Sequence, residues 1–383
     1  MAELADALAS GASLGNQVQV QVLSSAPFLF LVDIFMENSL TLKKNIPWVG
    51  IVKSIGIFLV FIGHIWSHSR LEMIYKAIYS FHMPLFFILA GFLFSSKDTF
   101  MEMTKKKLFR VLLPGLFYNI LFSPLYFVYT EKIDISEFIS GLFFFRGEVT
   151  ANPPCWFFFT LFFTFIVAKL VRVDRNKAWV NLMISLLSFG IGYVLFRHVA
   201  VKNDFFGVKE LFPALGLFSF GNIVRKLDLS GKVERNRIAS FITFTVSGII
   251  WFIFGLRLNG KIAFYGADFG NYLYFVISGI AGSVSLICLV IFITSFKPLD
   301  KVFSKINNYP SAGSILLIGS HYFFMMMYVS YMVIDGYEKT LVFDIVSPIF
   351  VLITMIIYYP VYKFCSKRLP FLVGEYIPNN STH

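Results

Sequence analysis

Charged residues are scarce in this chain. Asp, Glu, Lys and Arg make up only 14% of its 383 residues, whereas a soluble domain carries roughly 25%. Hydrophobic residues reach 57%, and so few charged side chains cannot give them a polar covering. The shortage of charge therefore argues against a water-soluble fold.

Cysteine is also rare, and the common enzyme motifs are missing. Cys155, Cys288 and Cys365 are scattered through or beside apolar segments, without the paired spacing of a disulfide framework or a zinc site. We expect them to be packing residues. The chain has no Walker loop, dinucleotide fingerprint, His-Glu-x-x-His motif or nucleophile elbow, which excludes several classes of enzyme.

Apolar runs of about 20 residues are abundant, and each can cross a hydrocarbon core about 30 Å thick as a helix. They lack the alternation of a transmembrane β-barrel. The predicted fold is therefore an all-α polytopic integral membrane bundle of about ten helices. The predicted spans are 48–66, 76–96, 110–130, 154–172, 178–198, 206–225, 238–256, 271–295, 312–333 and 342–365.

The positive charge indicates how these helices are oriented. The net charge is +11, but the basic residues are dispersed between apolar spans, so membrane topology explains them better than a nucleic-acid partner. One set of alternate connections carries roughly twice as many lysines and arginines as the other, and the richer side is normally cytoplasmic. With an even number of spans, both termini are predicted to be cytoplasmic.

The N-terminal region does not fit this pattern, because residues 1–25 contain no Lys or Arg and so do not resemble a signal peptide. Met36, just before the basic pair Lys43 and Lys44, looks like a natural start. We expect residues 1–35 to be a non-native or disordered extension and 36–47 a cytoplasmic lead-in. A single transmembrane domain would then occupy 48–365, followed by a cytoplasmic tail at 366–383.

Two ionisable residues share one face of the first predicted helix. Lys53 and His64 are eleven residues apart, which leaves them only about 20° from the same direction and about 16 Å apart along the axis. Ionisable side chains within a span are costly and are candidate functional residues. The alternative is a snorkelling lysine and a hydrogen-bonded core histidine.

Two more histidines lie within predicted spans. His82 lies near the start of the second span and would be at nearly the depth of His64, so the pair could share a site suited to general-base chemistry. His82 could instead be an interfacial residue at a helix start, next to Pro84. His321 either lines the same cavity or bonds across helices.

A basic cluster follows the second span and contains Lys97, Lys105, Lys106, Lys107 and Arg110. Its last four members could hold the phosphates of a nucleotide-like donor. The default explanation of the same residues is a topology signal or a contact with anionic lipid.

Several of these segments together resemble the acyltransferase 3 family of multispanning membrane acyltransferases. Lys53 and His64 match its spaced Lys and His, and 80–91 (SFHMPLFFILAG) matches a second motif. Weaker similarity comes from 154–157 (PCWF), 265–272 and 313–321, and the resemblance covers about 45–365. Gly50, Ser54 and Ala90 depart from the pattern, where relatives often have Asp, Gly and Ser.

The resemblance implies an enzyme that moves an acetyl or other acyl group from acyl-CoA to a hydroxyl of a cell-surface or secreted polysaccharide or its lipid-linked precursor. His64 would be the catalytic base or an acyl carrier, with Lys53 and His82 assisting it. Lys105, Lys106, Lys107 and Arg110 would bind acetyl-CoA, and Trp156 and His321 would line the substrate pocket. No metal is expected.

The expected location is the cell membrane, with membrane lipid and a carbohydrate acceptor as partners. Glycan-synthesis proteins or a second copy of the chain are further candidate partners. The main rival function is a transporter or flippase, although no internal repeat supports it. A structural or sensory membrane protein is a third alternative.

Overall fold

The computed structural model describes residues 46–95, 97–130, 139, 152–199, 207–296 and 312–375. The predicted extension at 1–35, most of the lead-in and the end of the tail lie outside these ranges. The first half of the described chain forms seven α-helices: α1 (Pro47–Trp66), α2 (Glu72–Tyr79), α3 (His82–Leu93), α4 (Phe100–Lys107), α5 (Leu113–Thr130), α6 (Trp156–Leu170) and α7 (Ala178–His198).

The second half continues with six α-helices: α8 (Val208–Lys226), α9 (Leu229–Glu234), α10 (Arg237–Trp251), α11 (Tyr272–Thr294), α12 (Ser314–Ile334) and α13 (Leu341–Arg368). Wider π-helical turns join α4 to α5 and extend α10, and short 3₁₀ turns include 153–155, 265–267 and 370–373. Within the described ranges, β-type pairing is limited to a single bridge between Ala263 and Asp268. The all-α prediction is confirmed at this level.

Eight helical segments of the described chain are long and apolar enough to cross a membrane. They correspond to eight of the ten predicted spans, and α2 and α3 together form one of them. The two remaining predicted spans are the helices α5 and α8, which are not among the eight. The chain is therefore a multi-pass membrane protein, while ten spans with both ends in the cytoplasm stay a prediction.

The low hydropathy of α8 is explained by its place in the bundle. Lys209 and Glu210, near its start, are both buried, and the helix packs against α3, α6 and α7. A Cβ atom on Gly91 of α3 would lie 1.8 Å from the carbonyl oxygen of Phe218, and one on Gly221 of α8 would lie 2.0 Å from that of Ile88. Glycine thus allows the two backbones to touch, as small residues do between membrane helices.

The buried side-chain amide of Asn222 binds the end of α3 where α3 contacts α8. The Asn222 side-chain amide donates hydrogen bonds to the carbonyl oxygens of Gly91 and Phe94, and Asn181 donates to the Asn222 side-chain oxygen. Carbonyls at a helix end have no partner within the helix. The Asn222 amide supplies that hydrogen-bond partner inside the bundle, where little water is present.

The second predicted span is interrupted, so the prediction of one continuous helix over 76–96 is wrong in this respect. The indole N–H of Trp251 donates to the Ser80 hydroxyl, which itself donates to the carbonyl oxygen of Ala77. Pro84 lies in the first turn of α3, where its missing N–H costs no helical hydrogen bond. The break places His82 at a helix start.

Three helices present apolar side chains outward. On α7, α10 and α13, large hydrophobic residues such as Leu187, Ile242 and Ile356 are exposed. A soluble protein would turn such faces inward. Hydrocarbon around the bundle accounts for them, as the composition predicted.

Candidate active site

A cavity of about 100 Å³ lies beside the end of α1. It combines two imidazole rings with a mainly apolar and aromatic wall. Its lining residues are Val60, His64, Tyr79, His82, Met83, Phe86, Pro153, Pro154, Trp156, Phe157, Ala263, Phe264, Tyr265 and Ile318. Convergent polar groups in an apolar pocket are the usual form of a small-molecule site.

His64 reaches the cavity from the last turns of α1, a helix that runs without a break from Pro47 to Trp66. The helical spacing between Lys53 and His64 is therefore preserved, with Lys53 near the opposite end. The His64 ring is half-buried, and its centre lies 5.4 Å from that of the Tyr322 ring in an edge-on arrangement.

His82 lines the same cavity from the start of α3, as the sequence predicted for a shared site. Its Nδ1 lies 2.8 Å from the carbonyl oxygen of Ile78. A carbonyl oxygen can only accept, so the proton of neutral His82 is assigned to Nδ1 and its Nε2 carries the lone pair. The ring also meets Tyr79 edge-on at 4.9 Å between centres.

His321 is close to the site but is not among the cavity-lining residues. It is fully buried in α12, and its ring stacks on that of Phe61 at 4.5 Å with an angle of 10° between the planes. The His321 and His64 ring centres are 5.2 Å apart. His321 thus lies beside His64 but outside the cavity wall, and its Nδ1 contacts the carbonyl oxygen of Ile318 in its own helix rather than a group on another helix.

Aromatic rings form the wall facing the histidines. Trp156, predicted as a pocket residue, lies nearly parallel to Phe264, with 5.4 Å between ring centres and 20° between planes, and Tyr265 is next to it. Trp156 begins α6 immediately after the 3₁₀ turn formed by Pro153–Cys155.

The side-chain amide of Asn259 joins the two ends of the loop that carries Phe264 and Tyr265. The Asn259 side-chain oxygen accepts hydrogen bonds from the backbone N–H groups of Gly260 and Asn271, and its amide group donates to the carbonyl oxygen of Phe269. Gly266 has a φ of 74°, a left-handed conformation that glycine adopts without strain. Asn259 and Gly266 are thus the two residues that determine the shape of this loop.

The predicted phosphate-binding residues do not line the cavity, and the surroundings of their side chains differ. Lys106 pairs with Asp98 at 2.8 Å, and Lys105 is exposed. Lys107 is partly buried, with its ammonium 3.6 Å from the centre of the Phe165 ring. Burial lowers the pKa of Lys107 to about 8. The positive charges of Arg110 and Lys53 also lower it, and Asp98 opposes them. Lys53 and Arg110 are therefore close enough for their charges to act on Lys107, and we call these three residues the basic triad.

Sequence reasoning missed Tyr79, Met83, Phe86 and Ile318 as lining residues. Tyr79 lies three residues before His82, a spacing that brings side chains together on a helix, so the predicted helix over 76–96 already contained a signal for this residue. Ile318 comes from a distant helix, which no local pattern could reveal. The three cysteines are buried and free. The described chain contains no group of three His, Cys, Asp or Glu placed to hold a metal ion.

Comparison with known proteins gives one match. The model of the acyltransferase 3 family, described as an acyltransferase domain, matches residues 46–363. No curated protein and no solved structure matches the chain. The matched region begins with α1 and includes every residue that lines the cavity.

Proposed function

This chain belongs to the acyltransferase 3 family and is a multi-pass membrane acyltransferase, and from that premise we propose its reaction. It transfers an acetyl group from acetyl-CoA to a hydroxyl of a cell-surface or secreted polysaccharide or its lipid-linked precursor. The observation that carries the proposal is the cavity shared by His64 and His82. Its location is the cell membrane.

His64 is the general base of the proposed reaction. It takes the proton of the acceptor hydroxyl as the hydroxyl oxygen attacks the thioester carbon, and the carbon–sulfur bond then breaks. His64 returns this proton to the departing CoA thiolate, so the products are an acetyl ester and free CoA. Histidine suits both steps because its neutral and protonated forms are close in energy near neutral pH. Formation of an acetyl-His64 intermediate is the alternative route.

The tautomer of His82 limits the hydrogen bonds that its ring can make to a substrate. With its proton on Nδ1, held by Ile78, neutral His82 presents Nε2 only as a hydrogen-bond acceptor. It can therefore accept a hydrogen bond from a neighbouring hydroxyl of the acceptor sugar, which leaves the proton of the reacting hydroxyl to His64. It cannot donate a hydrogen bond to the thioester oxygen without first gaining a proton, so acceptor positioning is the favoured role.

The basic triad is the proposed site for the CoA phosphates. Bringing Lys53, Lys107 and Arg110 together costs electrostatic energy, and a polyanion would offset that cost. Lys53 and His64 lie toward opposite ends of α1, about 16 Å apart along the helix axis. An extended pantetheine arm running along α1 would bring the thioester from the triad toward His64. Lys105 and Lys106 are less suited, because one is exposed and the other is paired with Asp98.

The aromatic wall is the proposed acceptor surface. The flat faces of Trp156 and Tyr265 suit the apolar face of a sugar ring, and His82 would hold a hydroxyl next to the reacting one. Membrane lipid surrounds the protein in this scheme. Glycan-synthesis proteins or a second copy of the chain are the further partners that we propose.

The decisive experiment uses the full chain in lipid nanodiscs with radiolabelled acetyl-CoA. We expect release of free CoA, and transfer of label to an added glycan that contains the correct acceptor. The His64→Ala variant should lose about 10²-fold or more of the rate, the usual contribution of a general base. His198→Ala is the matched control, because His198 is exposed at the end of α7.

Two results would contradict the proposal. One is a His64→Ala variant that releases CoA as fast as the wild type. The other is a wild-type protein that folds in nanodiscs but cleaves no acetyl-CoA with any acceptor preparation, which would exclude acetyl-CoA as the donor.

A further inference from the structure

Two contacts orient the ring of His321. One face stacks on Phe61. Its Nδ1 lies 2.9 Å from the carbonyl oxygen of Ile318, one turn earlier in α12. Because that oxygen can only accept, the proton lies on Nδ1 and the Nε2 atom has an unprotonated lone pair.

That lone pair is unsatisfied. The His321 Nε2 atom is buried and has no hydrogen-bond partner in the described part of the chain. An unmet buried acceptor costs about 1–3 kcal/mol, and native structures contain few of them. An acceptor of this kind calls for a donor close by.

The nearby ring of His64 can supply this donor. The two ring centres are 5.2 Å apart, with 47° between their planes. Two imidazole rings at this separation can bring one nitrogen of each to hydrogen-bond distance, about 2.9 Å, once the two nitrogens face each other. His64 also lines the cavity, whereas His321 does not.

We propose that His321 is the positioning residue of His64. Its Nε2 accepts the N–H of His64, which leaves the second His64 nitrogen unprotonated and directed to the cavity. This inference rests on the proposed role of His64 as the base. His321 itself touches neither substrate and takes up no proton.

The pair has a chemical purpose. A free imidazole exchanges between two tautomers, and only one of them presents a base to the acceptor hydroxyl. Once His64 has taken the acceptor proton, it carries a positive charge in apolar surroundings. The same hydrogen bond then becomes charge-assisted and stronger, so it stabilises the transition state more than the ground state.

The backbone around His321 is fixed by its neighbours. The Asn152 amide donates a 2.6 Å hydrogen bond to the carbonyl oxygen of Gly319. A Cβ atom on Gly319 would lie 2.1 Å from the Tyr118 ring, so α12 approaches α5 very closely there. His321 cannot follow a displaced His64, and any adjustment has to come from the His64 side.

Two substitutions separate positioning from packing. His321→Gln keeps a side-chain oxygen that can accept the His64 N–H, whereas His321→Met has similar bulk without a strong acceptor. Both are assayed in nanodiscs for release of CoA from acetyl-CoA, with His198→Met as the exposed control. Thermal unfolding confirms that each variant is folded.

We expect kcat to fall about tenfold or more in His321→Met, as when a catalytic histidine loses the group that fixes its tautomer. The KM for acetyl-CoA should change less than twofold, and His321→Gln should recover most of kcat. Equal kcat in His321→Met and the wild type would overturn the proposal. Equal losses in the Met and Gln variants would do the same, because they would indicate packing alone.

A measurement without turnover keeps the test independent of the proposed reaction. Solid-state NMR of ¹⁵N-histidine-labelled protein in lipid should show a His64 N–H shared with His321 Nε2, assigned by comparison with His64→Ala. The signal should be lost in His321→Met. Its absence from the wild type would refute the pairing even if acetyl transfer were intact. A wild type that shows the signal but cleaves no acetyl-CoA would instead refute the proposed function.

Discussion

The ammonium of Lys107 lies 3.6 Å from the centre of the Phe165 ring, where a cation is attracted by the aromatic face. The contact fixes a partly buried charge beside Lys53 and Arg110. Because burial lowers the pKa of Lys107 to about 8, its charge is complete below that pH and is lost as the pH rises through it.

Donor affinity should therefore depend on pH. If Lys107 binds a CoA phosphate, the KM for acetyl-CoA should be flat up to about pH 7 and rise about tenfold by pH 9 to 9.5, the cost of one charge-assisted hydrogen bond. Lys107→Arg should abolish the rise, because arginine stays protonated. The exposed Lys177→Arg should behave as the wild type. A profile that is unchanged in Lys107→Arg would exclude Lys107 from donor binding.

The aromatic wall gives a prediction about the acceptor. Trp156→Leu removes the ring that packs against Phe264 and should raise the acceptor KM several-fold, with little change in the KM for acetyl-CoA. Trp156→Phe should have a smaller effect because it retains an aromatic face. Steady-state kinetics with each substrate varied in turn measures both constants. A change confined to the donor KM would reverse the assignment of this wall.

The loop bearing Phe264 and Tyr265 should depend on Asn259. Asn259→Ala removes the hydrogen bonds that join the two ends of the loop, so the acceptor KM should rise and the loop should become more sensitive to protease. Gly260→Ala is the matched control, because a Cβ atom there meets nothing within 4 Å. Equal protection of the two variants from limited proteolysis would show that Asn259 is dispensable.

The contact between α3 and α8 should be sensitive to a single methyl group. Gly91→Ala places a Cβ atom against the backbone of Phe218 and should lower stability by about 1–3 kcal/mol or more. Gly190→Ala on α7 meets nothing within 4 Å and should be neutral or slightly stabilising. Thermal unfolding in detergent compares them, and similar midpoints would mean that the helices can separate without cost.

Much of the architecture follows from local pattern. The apolar runs predicted the helices because crossing hydrocarbon requires length and apolar composition, both of which are read along the chain. A helix start at His82, beside Pro84, was one of the two interpretations that the sequence offered, whereas the contact of Trp251 with Ser80 at this break comes from a distant helix and had no local signal. The burial of α8 against α3 and α7, which accounts for its low hydropathy, is visible only in the packed bundle.

The candidate site, too, was predicted in part from local sequence pattern and was defined in part only by the tertiary structure. Helical periodicity was enough to place Lys53 and His64 on one face of α1, and composition was enough to predict a membrane protein. The sequence also proposed a shared site for His64 and His82 and a pocket role for Trp156. Only the tertiary structure showed that these three line one cavity, placed His321 beside His64 but outside the cavity wall, and separated Lys107 from the paired Lys106. The physical reason is that periodicity acts within one helix, whereas cavities, ring contacts and ion pairs depend on how separate helices pack.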